Sequence, residues 1–67
     1  MESVYKVIEI IGSSEKSWED AAKAAIERAS QSIRDLRVGE VVEQDLRMEE
    51  GKLFYRIKLR VSFKYQD

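Results

Sequence analysis

The chain has no cysteine, no histidine and no proline, and only three glycines. Without cysteine no disulfide can staple the fold. Without histidine the usual zinc and copper ligands are gone. The common nucleophile and base pairings are missing, and so is a Gly-x-Ser-x-Gly elbow. The lack of proline and the few glycines leave no linker, low-complexity stretch or internal repeat. No run approaches the roughly 18 apolar residues of a membrane helix, and no signal-peptide pattern opens the chain. The expectation is a cytoplasmic protein that engages no membrane. The net charge is −1, with 37% charged residues of both signs, a mixed surface that does not suggest general nucleic-acid binding.

These absences bear on stability. The 67 residues make one small domain, expected over 1–67. At this size a core alone rarely supplies more than about 3–5 kcal/mol, and disulfides, a metal or an oligomer make up the difference. With the disulfide excluded and the common metal ligands absent, self-association is the remaining route.

Against this background one stretch is distinctive. From Lys52 to Tyr65 every odd residue is apolar: Leu53, Tyr55, Ile57, Leu59, Val61, Phe63 and Tyr65. The even residues are Lys52, Phe54, Arg56, Lys58, Arg60, Ser62 and Lys64. A period of 2 this strict marks a half-buried strand. Straight, the strand would span roughly 43 Å at about 3.3 Å per residue. A compact chain of this length is only about 28 Å across. Either the strand bends sharply or its far end pairs with another copy.

Val4 to Ile11 reads as a first strand, rich in β-branched residues and apolar on both faces, with Glu9 needing a cation or solvent. Gly12-Ser13-Ser14 reads as the turn that ends it. A strand–Gly–helix junction can also hold phosphate, but no GxGxxG or Walker lysine motif accompanies it. Ser17 caps a helix with Asp20 three residues on. Trp18, Ala21, Ala22, Ala25, Ile26, Ala29 and Ile33 form its core-facing stripe, and Trp18 is the bulky anchor among alanines. Arg37 to Met48 reads as a second strand. Its alternation breaks at Val41-Val42, so a bulge or bend is expected near Gly39. Glu49-Glu50-Gly51 makes a tight turn into the long strand.

The fold class is therefore α+β with element order β-α-β-β. The helix makes strands one and two run the same way, and the hairpin turns strand three against both. With strand three central, the expected architecture is a three-stranded antiparallel sheet of order 1-3-2, packed on one helix through the odd face of strand three.

Chemistry-bearing clusters are few. No D-x-D-x-D-G loop is present. Glu43 and Asp45 point the same way on a regular strand, so they are the candidates for a metal such as calcium; a solvated charge pair is the plainer role. Arg56, Lys58, Arg60 and Lys64 can attract phosphate or RNA, or pair across strands with the acids of strand two. Only Phe54 on that face offers a stacking platform, so RNA bases are poorly served. An enzyme is not expected.

Several segments together resemble the dodecin family: Val7-Ile8-Glu9-Ile10-Ile11-Gly12-Ser13-Ser14, the alanine helix ending Glu27-Arg28-Ala29, the Glu40-Val41 pair, and Tyr55-Arg56-Ile57-Lys58-Leu59-Arg60-Val61-Ser62-Phe63-Lys64. The resemblance covers nearly the whole chain. It implies a hollow homododecamer of cubic type that binds or stores flavin without catalysing a reaction. It also implies a Trp just before the Glu-Val pair, which stacks on the flavin, and a Gln after an aromatic residue in strand three, which hydrogen-bonds the ring. Here Val38 stands at the first position, beside Glu40, and Arg56 at the second, after Tyr55. Val38 cannot stack on an isoalloxazine, and Arg56 offers donors but no acceptor. The expectation is a retained shell whose flavin binding is weak or lost. The alternatives are a shell that binds a cation such as calcium, and a purely structural oligomer.

Overall fold

The structure is a computed structural model that describes residues 2–65. Met1, Gln66 and Asp67, at the ends of the expected domain, lie outside the described residues. The element order is β1 (Tyr5–Ser14), α1 (Trp18–Ser32), β2 (Leu36–Glu49) and β3 (Lys52–Lys64). β3 lies between β1 and β2 and runs antiparallel to both, which is the expected 1-3-2 sheet.

Gly12-Ser13-Ser14 does not turn. β1 continues through it, with Gly12 opposite Ile57, Ser13 opposite Arg56 and Ser14 opposite Tyr55. The glycine is needed for contact rather than for a bend. A Cβ at Gly12 would collide with the Ala21 carbonyl oxygen and stand 2.9 Å from the Ala25 methyl. Here α1 comes down onto the sheet, backbone against backbone.

α1 begins where the sequence places it. The Ser17 hydroxyl accepts a 3.0 Å hydrogen bond from the Asp20 N–H, and Glu19 and Asp20 put negative charge at the positive end of the helix dipole. The helix stops at Ser32, so Ile33 is its C-cap, whose N–H still donates to the Ala29 carbonyl. Asp35 then takes a positive φ of 61° and redirects the chain into β2.

β2 carries two register shifts, between Leu36 and Val38 and between Val41 and Glu43. Arg37 and Val42 are thus the extra residues, and they flank Gly39 instead of coinciding with it. Gly39 serves packing: a Cβ there would sit 2.9 Å from Ile26 Cδ1. Glu49 faces Lys52, so the hairpin turn is Glu50-Gly51, with φ values of 51° and 78°. Two left-handed residues match the twist of the flanking strands.

The buried core is Ala21, Ala25, Ile57, Leu59 and Val61, with Ile8, Ile10, Trp18, Ala22, Ile26 and Leu36 packed around it. The odd face of β3 meets α1 as expected, but only in its middle; Leu53 is 37% exposed. The molecule is a slab of 52 × 20 × 15 Å. Its radius of gyration is 13.7 Å, against about 11 Å for a compact chain of this length. Val7, Ile11, Val38, Leu46 and Met48 are each more than half exposed.

Ile57→Ala is expected to cost about 2–5 kcal/mol as a large-to-small core change. Lys58→Ala should cost under about 0.5 kcal/mol, as a surface substitution. Gly12→Ala should cost about 1–3 kcal/mol or more through overpacking against α1. Urea unfolding of the three variants checks the ranking; equal losses at Ile57 and Lys58 would mean that the far face of the sheet is itself buried.

Candidate functional site

The face of the sheet turned away from α1 carries most of the charge. Residues directly opposite one another across strands share a face, so the ladder can be read in rows. Val7, Ser62 and Val38 form one row, and Glu9, Arg60 and Glu40 the next. Ile11, Lys58 and Glu43 follow, then Ser13, Arg56 and Asp45.

Each charged row is neutralised across the strands. Arg56 grips Asp45 with two parallel hydrogen bonds, Nε to Oδ1 at 2.8 Å and Nη2 to Oδ2 at 2.8 Å. Lys58 Nζ stands 3.5 Å from Glu43 Oε1. Arg60 bonds Glu9 Oε2 at 2.9 Å and approaches Glu40 Oε1 at 4.0 Å. The bulge at Val42 sets the last row. Counted back from the turn without it, Val41 would oppose Arg60; with it, Glu40 does, and Val41 turns to the helix side opposite Leu59.

The Asp45–Arg56 pair is the strongest of these. The bond from Arg56 holds the Asp45 carboxyl below its ordinary 3.8, helped by the charges of Arg56 and Lys58 and opposed by desolvation. The same bond raises the Arg56 pKa. The Asp45 carbonyl also accepts from the Trp18 indole N–H at 3.2 Å, which ties the start of α1 to β2. Beside the pair, a pocket of about 100 Å³ is lined by Ile11, Glu43, Asp45, Arg56, Ile57 and Lys58.

The four residues singled out for a ligand do not converge within one chain. Val38 and Glu40 are in neighbouring rows. Arg56 lies six residues along β3 from Ser62, the partner of Val38, or about 20 Å. Tyr55 is on the opposite face, with its ring centroid 5.2 Å from that of Trp18 at an interplanar angle of 77°. A ligand touching both Val38 and Arg56 therefore needs two copies of the chain. The parity of Tyr55 in β3 already separates it from Arg56. Glu9 and Ile11 share the charged face too; their place beside Arg60 and Lys58 follows from the 1-3-2 order once the register is known.

Neither implied ligand fits a single chain. Flavin finds no ring at Val38, and two of the five Arg56 N–H donors are engaged by Asp45. Calcium takes 6–8 oxygens, yet Glu43 and Asp45 each face a cation, and no group of three or more Asp, Glu, His or Cys side chains gathers among the described residues. No helix among the described residues is long and apolar enough to cross a membrane.

Comparison with known proteins adds the following. Residues 4–66 match the family model described as Dodecin. The chain is 59% identical over 63 residues to the calcium dodecin of Mycobacterium tuberculosis, covering 92% of this chain and 89% of that one. It is 37% identical over 68 residues to the dodecin of Thermus thermophilus, covering 100% and 99%. A crystal structure described as that of a calcium-chelating immunodominant antigen, calcium dodecin, from M. tuberculosis "with a novel calcium-binding site" superposes with a TM-score of 0.88 at 57% identity, covering 96% of this chain and 93% of that one. The dodecin of Streptomyces davaonensis gives 0.89 at 28% identity and full coverage of both chains.

The lowered pKa of Asp45 sets a pH dependence. A group whose folded pKa is depressed adds stability that is present above its unfolded value, near 3.8, and that is lost as pH falls through the folded pKa. Asp45→Asn should therefore leave an unfolding curve that is flatter in acid, below about pH 4. Circular dichroism melts from pH 7 down to pH 2 check this; an unchanged acid limb would show that the pair does not contribute.

Proposed function

The chain belongs to the dodecin family, and from that premise we propose that it is a subunit of a hollow homododecamer that binds and stores a small ligand without catalysing a reaction. The observation that carries the assembly is the bare apolar surface of the single chain. Val7, Ile11 and Val38 on one face, and Leu46 and Met48 on the other, are more than half exposed, and nothing in the slab covers them. Large apolar side chains bared on both faces of so small a chain mark surfaces for association or an aggregation hazard; a closed shell buries them. A cytoplasmic location for the shell is part of this proposal.

Flavin binding is weak or lost in this shell. An aromatic stack is worth about 1–3 kcal/mol, and Val38 supplies none. Arg56 brings donors only, and Asp45 holds two of the five. A second reading, calcium binding, is favoured by the 59% identity to a protein named calcium dodecin. Of the carboxylates in the charged rows, Glu43 and Glu40 are the least engaged by cations: Glu43 stands 3.5 Å from Lys58 and is 63% exposed, and Glu40 stands 4.0 Å from Arg60 and is 64% exposed. In this reading neighbouring copies supply the remaining oxygens.

Light scattering of the purified protein should give twelve times the 7.8 kDa chain mass. A stable monomer at micromolar concentration overturns the shell. Riboflavin fluorescence should be quenched only at high micromolar protein or not at all. Val38→Trp with Arg56→Gln should tighten binding tenfold or more, about 1.4 kcal/mol; tight quenching by the unaltered protein overturns the loss of flavin. Calorimetric titration with calcium chloride should give heat that Glu43→Gln reduces, and no heat from the unaltered protein sinks the calcium reading.

A further inference from the structure

The bulge at Val42 also acts on the helix side of the sheet. Val41 and Gln44 are three residues apart, and on a regular strand they would face opposite ways. The extra residue between them turns both toward α1, with Val41 opposite Leu59 and Gln44 opposite Ile57. They lie between two points at which α1 meets β2. At one, the Trp18 indole N–H donates to the Asp45 carbonyl at 3.2 Å. At the other, Ile26 Cδ1 closes on Gly39, where a Cβ would stand only 2.9 Å away. Between these points α1 leans the other way, onto β1, where Gly12 admits the Ala21 backbone. The result is a trough of about 320 Å³ between α1 and β2, lined by Trp18, Glu19, Ala22, Val41, Gln44 and Ile57.

A hollow of this size falls at the lower end of the range for small-ligand sites, which are mostly apolar with a few polar groups that fix orientation. Its floor is the buried Ile57. Its polar groups are the Glu19 carboxylate and the Gln44 amide. Among the described residues neither has a hydrogen-bond or ion-pair partner, and Lys23, one turn along α1 from Glu19, makes no ion pair with it. The first turn of α1 carries Glu19 and Asp20, two negative charges against roughly half a positive charge at the helix end. The trough is therefore apolar within and negative at its rim. An anion is repelled there, and an uncharged apolar molecule leaves the Glu19 carboxylate unanswered. We propose that the α1–β2 trough binds a small organic ammonium ion. Its apolar stem lies against Ala22, Val41 and Ile57, and its N–H groups donate to the Glu19 carboxylate and the Gln44 side-chain oxygen. The Trp18 indole forms the end wall, and an aromatic face attracts a cation. The site lies on the opposite face of the sheet from Val38, Glu40, Glu43 and Arg56. It uses the side chains of one chain only, so it stands apart from the flavin and calcium readings above.

Three probes of equal chain length separate charge from greasiness: hexylammonium chloride, hexanol and sodium hexanoate. At neutral pH the amine is charged, as a lysine side chain is. Calorimetric titration of the full chain should give saturable heat with hexylammonium, at one site per chain. Hexanol should bind about tenfold or more weakly, because it lacks the charge-assisted hydrogen bond, and hexanoate should not bind. Glu19→Gln should bring hexylammonium down to the level of hexanol. Equal binding of hexylammonium and hexanol, unchanged in Glu19→Gln, would show an apolar hollow without ammonium recognition and overturns the proposal. So does saturable binding of hexanoate, or no heat from hexylammonium. Ala22→Leu fills the trough and tests its location. In a variant whose light-scattering mass matches the unaltered protein, hexylammonium binding should be lost; retained binding overturns the site. Should Ala22→Leu fail to fold, Gln44→Leu, at an exposed position, repeats the measurement: several-fold weaker hexylammonium binding supports the site, and unchanged binding overturns it. A mass other than twelve chains bears on the shell alone and leaves this reading to the titrations.

Discussion

A fifteen-residue helix is laid on a strand of thirteen residues. The helix is about 22 Å long at 1.5 Å per residue, and the strand about 43 Å at 3.3 Å per residue. α1 therefore covers only the middle of β3, and Ile57, Leu59 and Val61 are buried there while Leu53 is not. The mismatch shapes everything else. It leaves the core too small to stabilise the chain alone, leaves the hairpin bare, and makes the contact at Gly12 critical, because the one covered region must be packed backbone to backbone.

The two faces of the sheet divide the work. The helix side supplies burial, and the far side supplies register. The rows of opposite charge cost little to desolvate, since every member is partly exposed, and exposed pairs add little to stability. Their value lies in discrimination: a one-residue slip of β2 would set Val41 or Gln44 against the cations and turn the acids toward the helix. The bulge at Val42 belongs to this arrangement, because it brings Glu40 to Arg60. The same pairing occupies Arg56 and so bears directly on which ligands the charged face can take. A side chain that in a flavin site would hydrogen-bond a ring is here part of the sheet's own bonding.

Much of this was legible in the sequence. The strict alternation of Leu53 to Tyr65 gave the central strand and its facing, the alanine stripe gave the helix, and Ser17 with Asp20 gave its start. Counting back from Glu50-Gly51 pairs Asp45 with Arg56 and Glu43 with Lys58. The errors share one cause. Gly12 after an apolar run reads as a turn, but its role is a tertiary approach to Ala21 that no local pattern encodes. The bulges at Arg37 and Val42 put Leu36 and Val41 opposite Phe63 and Leu59, on the helix side, which the local alternation does not encode. Of the candidate ligand positions, the residue identities at Val38 and Arg56 were plain, whereas their separation along the sheet required the register.

Trp18 is the chain's only tryptophan, and its indole N–H is held by the Asp45 carbonyl while its ring meets the edge of Tyr55. It stands at the point where the covered part of the sheet gives way to the bare hairpin. The protein thus carries its own optical gauge. Indole emission is sensitive to the polarity around the ring, so any event that covers or releases the hairpin changes the colour and intensity of a single, uniquely placed fluorophore. Assembly and disassembly can be followed in the unlabelled chain, at concentrations where scattering methods lose their signal.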